Sequence, residues 1–221
     1  MNVPPICTAR PLILASASPR RRRLLEQVGL PFLTLPADIP EPLDGDDPDA
    51  EACHLSRKKA QAVLSDQAGS WILGADTVVI LGSTILGKPV DRGDALSMIE
   101  RLSGREHRVV TGFCILNPAG AEVHTEAVST LVRFKRIDRE EMEGYVNSGE
   151  PFGKAGGYAI QGIGSFLVES IQGSYTNVVG LPLCAVIKAL VAVGALERFP
   201  LPPPSAGDES RKERFRSPRQ R

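Results

Sequence analysis

Residues 12–23 of this 221-residue chain read Leu-Ile-Leu-Ala-Ser-Ala-Ser-Pro-Arg-Arg-Arg-Arg, an apolar run of buried type that breaks into two serines and opens a helix crowded with arginine. Ser18 before Pro19 is an N-cap followed by a proline at the first helical position, where the missing N–H costs nothing. A strand running straight into a capped helix is the opening step of an α/β layer. The free N–H groups and positive dipole end of that helix face the strand tip, beside the Ser16 hydroxyl and the guanidinium groups of Arg20 and Arg21. Such a place holds a phosphate chain; the alternative is a capped surface helix whose arginines are merely solvated.

With 42% hydrophobic residues, the chain can bury one sizeable core or two small lobes. Its 26 basic residues balance 26 acidic ones, so a general nucleic-acid binder is not expected and the arginine cluster is a local device. Cys7, Cys53, Cys114 and Cys184 are scattered with no CxxC, and no secretory leader is recognisable, which predicts a reduced cytoplasmic protein without structural zinc. His54, His107 and His124 stand alone and read as surface or satisfied core histidines. No apolar run approaches the roughly 20 residues that span a bilayer, so no membrane partner is expected.

Strands and helices alternate along the chain. The pattern predicts a strand over 10–15, a helix over 19–28 closed by Gly29, a strand over 31–35 and, after an acidic, proline-rich loop over 38–47, a long helix from Pro48 to about Gln67. Apolar β-branched runs over 71–74 and 77–81 meet at Ala75-Asp76, and Gly82-Ser83 turns the chain into 84–86. A helix over 92–102 is capped by Asp91, and long strands over 108–116 and 122–134 form a hairpin. Asp138 and Glu141 make a capping box for a helix ending near Gly149. Six glycines among residues 149–164 are too many for a regular element and mark a shaped loop. Strands over 165–170 and 177–179 and a buried, nearly all-apolar helix over 182–196 complete the pattern. The expected organisation is a flexible N-terminus (1–9), one folded domain (10–199) and a disordered, proline-rich basic tail (200–221).

Two local conflicts carry chemical information. At helical spacing Ala52, Leu55, Ser56, Ala62 and Val63 share one face of the long helix, and Lys59 lies in the middle of it. A lysine there is costly unless its ammonium finds an anion, so it either snorkels out of the core or reaches into a site. Asp76 interrupts what would be one continuous apolar strand, and is either a satisfied residue at a bulge or a functional carboxylate at a strand end. Lys88, in the turn Gly87-Lys88-Pro89, adds another cation. Ser16, Arg20, Arg21, Lys59 and Lys88 are then donors and cations, while Asp76 and Glu41 are candidate ligands for a hard divalent ion. That is the parts list of metal-assisted attack on a phosphoanhydride, in which cations stabilise charge on the leaving pyrophosphate and a carboxylate positions or deprotonates water. No Walker A, GxGxxG or Ser-His-Asp pattern is evident, which disfavours kinases and P-loop enzymes.

Five motifs stand in one order: Ser16-Ala17-Ser18-Pro19-Arg20-Arg21, Lys59-Ala60, Gly74-Ala75-Asp76-Thr77, Gly87-Lys88-Pro89, and Gly149-Glu150-Pro151 through Lys154-Ala155-Gly156 to Gln161-Gly162. In that order and spacing they resemble the Maf family of nucleoside triphosphate pyrophosphatases, over about residues 10–196. The resemblance implies an α/β fold: an elongated, two-lobed mixed sheet flanked by helices, with a central cleft, related to inosine triphosphatase. It also implies release of pyrophosphate from a nucleoside triphosphate, a divalent metal cation (Mg2+ or Mn2+) and a homodimer. Within it Asp76 takes the part of proton acceptor, a role the residues alone leave open against metal coordination, and Lys154 joins the substrate-binding cations. Arg20, Thr77 and Gln161 match the branch acting on dTTP and UTP, whereas the branch acting on 7-methyl-GTP tends to carry tryptophan, glutamine and glutamate. A neutral glutamine amide offers a donor and an acceptor to the O4 and N3–H edge of uracil or thymine. Pro40 precedes Glu41 where the family more often has an acidic residue. Two other classes remain to be separated by assay: a nucleotide-binding regulator of cell division without turnover, and a nucleic-acid module built on the arginine helix and basic tail, with salt-dependent binding.

Overall fold

The computed structural model describes residues 4–40, 47–67 and 69–200. In chain order its elements are β1 (Leu12–Ala15), α1 (Pro19–Gln27), β2 (Phe32–Thr34), α2 (Pro48–Ala62), β3 (Ile72–Leu81), β4 (Thr84–Leu86), α3 (Arg92–Leu102), β5 (Glu106–Leu116), β6 (Glu122–Phe134), α4 (Arg139–Asn147), β7 (Val168–Gln172), α5 (Tyr175–Val179) and α6 (Leu183–Ala192), with short 3-10 turns between some of them. Among the described residues the strands form one seven-stranded sheet in the order β2-β1-β3-β5-β6-β7, with β4 pairing on β3. The pairs β1–β2 and β1–β3 are parallel and the others antiparallel, so the sheet is mixed.

The helix starts follow local chemistry. Ser18 accepts from the Arg21 N–H, Asp47 caps α2, Asp91 caps α3, and Asp138 with Glu141 closes the expected capping box on α4. In the β5–β6 turn the Asn117 side chain accepts from the N–H groups of Ala119 and Ala121.

The two sides of β3 carry different layers. On one side Leu73 and Ala75 pack with Leu24 and Leu25 of α1 and Val186 and Leu190 of α6. Further along the same side, Val79 joins a separate cluster with Ile99, Leu102, Phe134 and Tyr145. Between them lie Thr77 and Thr111, paired across β3 and β5, whose hydroxyls meet at 2.9 Å. This polar seam divides the apolar layer into two lobes. On the other side α2 covers Ile72 and Cys114 with Ala60, and Val78, Ile80 and Val110 with Ala52.

Several expectations need correction. The runs over 71–74 and 77–81 are one unbroken strand, in register with β5 from Ile72 to Ile80, because the carboxylate of Asp76 is neutralised where it lies rather than expelled at a bulge. The segment over 177–179 is helical: the Ser174 hydroxyl caps the Asn177 N–H and outweighs the β preference of Val178 and Val179. The strand expected over 165–170 begins as a 3-10 turn and pairs only from Val168. The last helix is shorter and one-sided, with Cys184, Lys188 and Val191 exposed. The long helix ends at Ala62, which faces outward, and a 3-10 turn follows at Ser65–Gln67. Within the N-terminal segment, Ile6 is a core residue bonded to the Ala195 carbonyl at 2.8 Å, and the Trp71 indole donates to the Pro4 carbonyl at 2.9 Å. Glu41 and the tail over 201–221 lie outside the described residues.

Candidate active site

β1 stops at Ala15, which pairs with Gly74, and β4 first pairs at Val79, so no strand among the described residues covers residues 75–78 of β3 on that side. A cleft of about 300 Å3 opens at this gap. The strand-to-helix junction 15–21, Asp76 and Thr77, Lys88, residues 153–155 and 158–161, and the end of α5 at residues 178–180 line it. Ser16, Arg20, Arg21, Lys59, Lys88, Lys154, Thr77, Gln161 and Asp76 are therefore brought to one place from six separate stretches of chain.

Asp76 is on the α2 side of β3. A Cβ on Gly74 would stand 2.1 Å from the Ser56 carbonyl oxygen, and one on Gly112, the register partner of Asp76, 2.3 Å from that of Ala52. Glycine at both positions lets α2 lie directly on the sheet, and this close approach sets Lys59 Nζ 2.5 Å from Asp76 Oδ1. The two side chains are only 7% and 9% exposed. Lys59 does not snorkel; it is held as the cation of a buried pair. Such pairs contribute little net stability, but removing one partner leaves an uncompensated charge.

Thr77 is on the opposite side of the same strand and ties the seam to α1. Its hydroxyl takes Arg21 Nη2 at 2.9 Å, while Arg21 Nη1 reaches Ser16 Oγ at 3.1 Å and Nε the Gly180 carbonyl at 2.7 Å. The adjacent arginines thus part company. Arg21 is buried in the cleft wall, whereas Arg20 is half-buried at the cleft, where desolvation lowers its pKa and Tyr145 opposes the shift. Across from it, burial and then the repulsion of Arg20 lower the pKa of Lys154, against the attraction of Glu150. The Lys154 ammonium bonds the backbone carbonyl of Glu150. Two cations that destabilise one another at a shared cleft are relieved by an anion between them.

Other residues of the site had no role in the sequence reading. Tyr158 lines the cleft, with its hydroxyl 2.7 Å from Nε2 of the buried His107. Burial depresses the His107 pKa to about 4, so the ring is neutral. Asn177, fully buried, donates from its side-chain amide to the Val109 carbonyl and Thr130 Oγ1, and its backbone carbonyl accepts from the Thr111 hydroxyl, which seats the end of α5 against the seam. The sequence around Asn177, a polar stretch over 173–176 followed by Val178-Val179, gave no comparable signal.

Asp76 is the one carboxylate lining the cleft among the described residues, and no group of three or more His, Cys, Asp or Glu gathers among them to hold a metal. One carboxylate plus substrate phosphates and waters is the donor set that magnesium takes, so the cleft suits a cation that arrives with a polyphosphate.

A sequence model of the family described as Maf-like protein matches residues 11–193. The chain belongs to the Maf family. Among its relatives, a dTTP/UTP pyrophosphatase of Syntrophotalea carbinolica is 48% identical over 191 residues, 85% of this chain and 87% of that protein. One of Geobacter sp. strain M21 is 50% identical over 186 residues, covering 84% and 96%. Another, of Nitratidesulfovibrio vulgaris, is 46% identical over 194 residues, covering 87% and 92%. A solved nucleoside triphosphatase (dITP/XTP pyrophosphatase) from Mycobacterium abscessus superposes with a TM-score of 0.38 at 15% identity, over 84% of this chain and 97% of that one, too remote to bear on the site. Each of the five motifs singled out in the sequence places at least one residue at the cleft.

Proposed function

We propose that this chain hydrolyses dTTP and UTP to the monophosphate and pyrophosphate. The observation that carries the reading is the buried Lys59–Asp76 pair, held at the uncovered edge of β3 and facing a cleft otherwise rich in cations, in a Maf chain whose relatives are named dTTP/UTP pyrophosphatases. The capped start of α1, Ser16, Arg20, Lys88 and Lys154 receive the phosphates and stabilise charge that builds on the departing pyrophosphate. Arg21 acts from the wall, fixing Ser16 and Thr77. Asp76 orients water for in-line attack and takes its proton, and Lys59 keeps that carboxylate aimed. Arg20, Thr77 and Gln161 set the choice of base.

Asp76 would supply the protein ligand to Mg2+ or Mn2+, with Glu41 as a second candidate outside the described residues. When bound, the ion neutralises phosphate charge and lowers the pKa of coordinated water. A cytoplasmic homodimer that clears canonical or modified pyrimidine nucleotides is the wider reading. The test is pyrophosphate release over a panel of nucleoside triphosphates, with Mg2+ or Mn2+ added or chelated. Preferential, metal-dependent turnover of dTTP and UTP supports the proposal; nucleotide binding without pyrophosphate release at any metal concentration overturns it in favour of a regulator.

A further inference from the structure

Glu150 belongs to the Gly149-Glu150-Pro151 motif but has no assigned task, and it is not among the residues lining the cleft. Its carboxylate is nonetheless saturated with donors. Oε1 accepts from the Tyr145 hydroxyl at 3.2 Å and the Gly164 N–H at 2.7 Å, and Oε2 accepts from the Ile163 N–H at 3.0 Å. The Tyr145 hydroxyl in turn accepts from the Ala159 N–H at 3.3 Å. Tyr145 is buried on α4, so its phenol is a fixed post. The stretch from Ala159 to Gly164 is thereby clipped at both ends, with Gln161 in the middle. Gly162, at φ +72°, packs so closely that a Cβ there would lie 2.4 Å from Oε2.

We propose that Glu150 and Tyr145 are positioning residues for base selection, clamping the loop so that Gln161 meets the pyrimidine from one fixed backbone position. The proposal rests on the dTTP/UTP reading. Its chemical logic is specific. A glutamine amide turned by half a rotation pairs with cytosine as well as with uracil, since it then offers donor for acceptor and acceptor for donor. A fixed backbone at Gln161 is therefore the first requirement for distinguishing the two bases. The clamp does not carry the phosphate grip, because Lys154 is bonded to the backbone carbonyl of Glu150, which substitution leaves in place.

The experiment compares wild type with Tyr145→Phe and Glu150→Gln. Tyr145→Phe removes the hydroxyl that joins the Ala159 N–H to the carboxylate. Glu150→Gln keeps an oxygen at Oε1 but turns an NH2 toward the Ile163 N–H, setting donor against donor. Each variant is expected to lower the ratio of kcat/KM for UTP over CTP by about 10-fold or more, through a higher KM for UTP at nearly constant kcat. Hydrogen exchange of the Ile163 and Gly164 amides should accelerate in Glu150→Gln. A UTP/CTP ratio unchanged in both variants, or a loss shared equally by all nucleotides with kcat falling, overturns the inference. Failure of the parent reading is separate, since it appears as wild type showing no preference for dTTP and UTP. If either variant melts far below wild type, the exchange protection of the other, measured on folded protein, still decides whether the carboxylate holds the loop.

Discussion

Gly74→Ala adds one methyl group outside the cleft and is expected to disable the enzyme through the geometry of α2. Gly74 has no positive φ, so alanine suits its backbone and improves strand propensity; any damage must come from the new Cβ. That Cβ would lie 2.1 Å from the Ser56 carbonyl and 2.8 Å from the Ala60 nitrogen, and both neighbours are helix backbone that no rotamer change can clear. Restoring an ordinary 3.4 Å contact from 2.1 Å asks α2 to retreat by about 1.3 Å, directly beneath Lys59, whose hydrogen bond to Asp76 is 2.5 Å long. Overpacking of this kind costs about 1–3 kcal/mol, which for a chain of this size lowers Tm by about 3–10 °C. A misplacement of about 1 Å at the reacting groups costs on the order of 100-fold in rate. Pyrophosphate release with dTTP and thermal melting on the same preparation give both numbers. Gly144→Ala is the control, since its Cβ would meet nothing within 4 Å in helix α4, and it should stabilise by about 0.5–1 kcal/mol. Wild-type turnover and Tm in Gly74→Ala would refute the claim that close helix–sheet packing sets the Lys59–Asp76 pair.

Asp76→Asn keeps the shape and removes the charge, and should lower turnover by at least about 100-fold with the fold intact; wild-type-like pyrophosphate release by folded protein would sink the assignment. Lys59→Met should abolish turnover and, unlike a snorkelling lysine, also cost roughly 3 kcal/mol in urea denaturation, because it strands the Asp76 carboxylate. Adding Asp76→Asn to it should restore much of that stability, and a single variant as stable as wild type would contradict the buried pair. His107 supplies a pH test: its folded pKa of about 4 lies below the ordinary 6.5, so as pH falls through this window the unfolded chain takes up a proton that the folded ring refuses. The stability advantage of wild type over His107→Asn should therefore shrink between pH 7 and pH 4.5, by about 2.5 kcal/mol. A pH-independent difference would mean that the ring is not buried neutral.

Much of the site was legible in the sequence because its residues violate the local pattern that surrounds them. Lys59 in an inward helical stripe and Asp76 in an apolar strand are each too costly to bury without a purpose, and the structure pairs them. Ser18-Pro19 and Asp138 with Glu141 announced helix starts because a cap is satisfied within three residues. The segment over 177–179 was misread for the complementary reason: Val178 and Val179 favour a strand in isolation, while the Ser174 cap and the Asn177 bonds to β5 and β6 decide for a helix.

Periodicity, caps and turn residues are local properties, so the sequence alone determined most strands and helices, the class of fold and the residue types proposed to serve a polyphosphate. Which lysine meets which carboxylate, why Arg21 rather than Arg20 lies in the wall, and how Glu150 grips a loop 13 and 14 residues away were decided only in three dimensions. Those pairings depend on how nearly α2 approaches β3 and on where β1 ends relative to β4, and such distances arise from packing the whole chain at once, not from any segment of it.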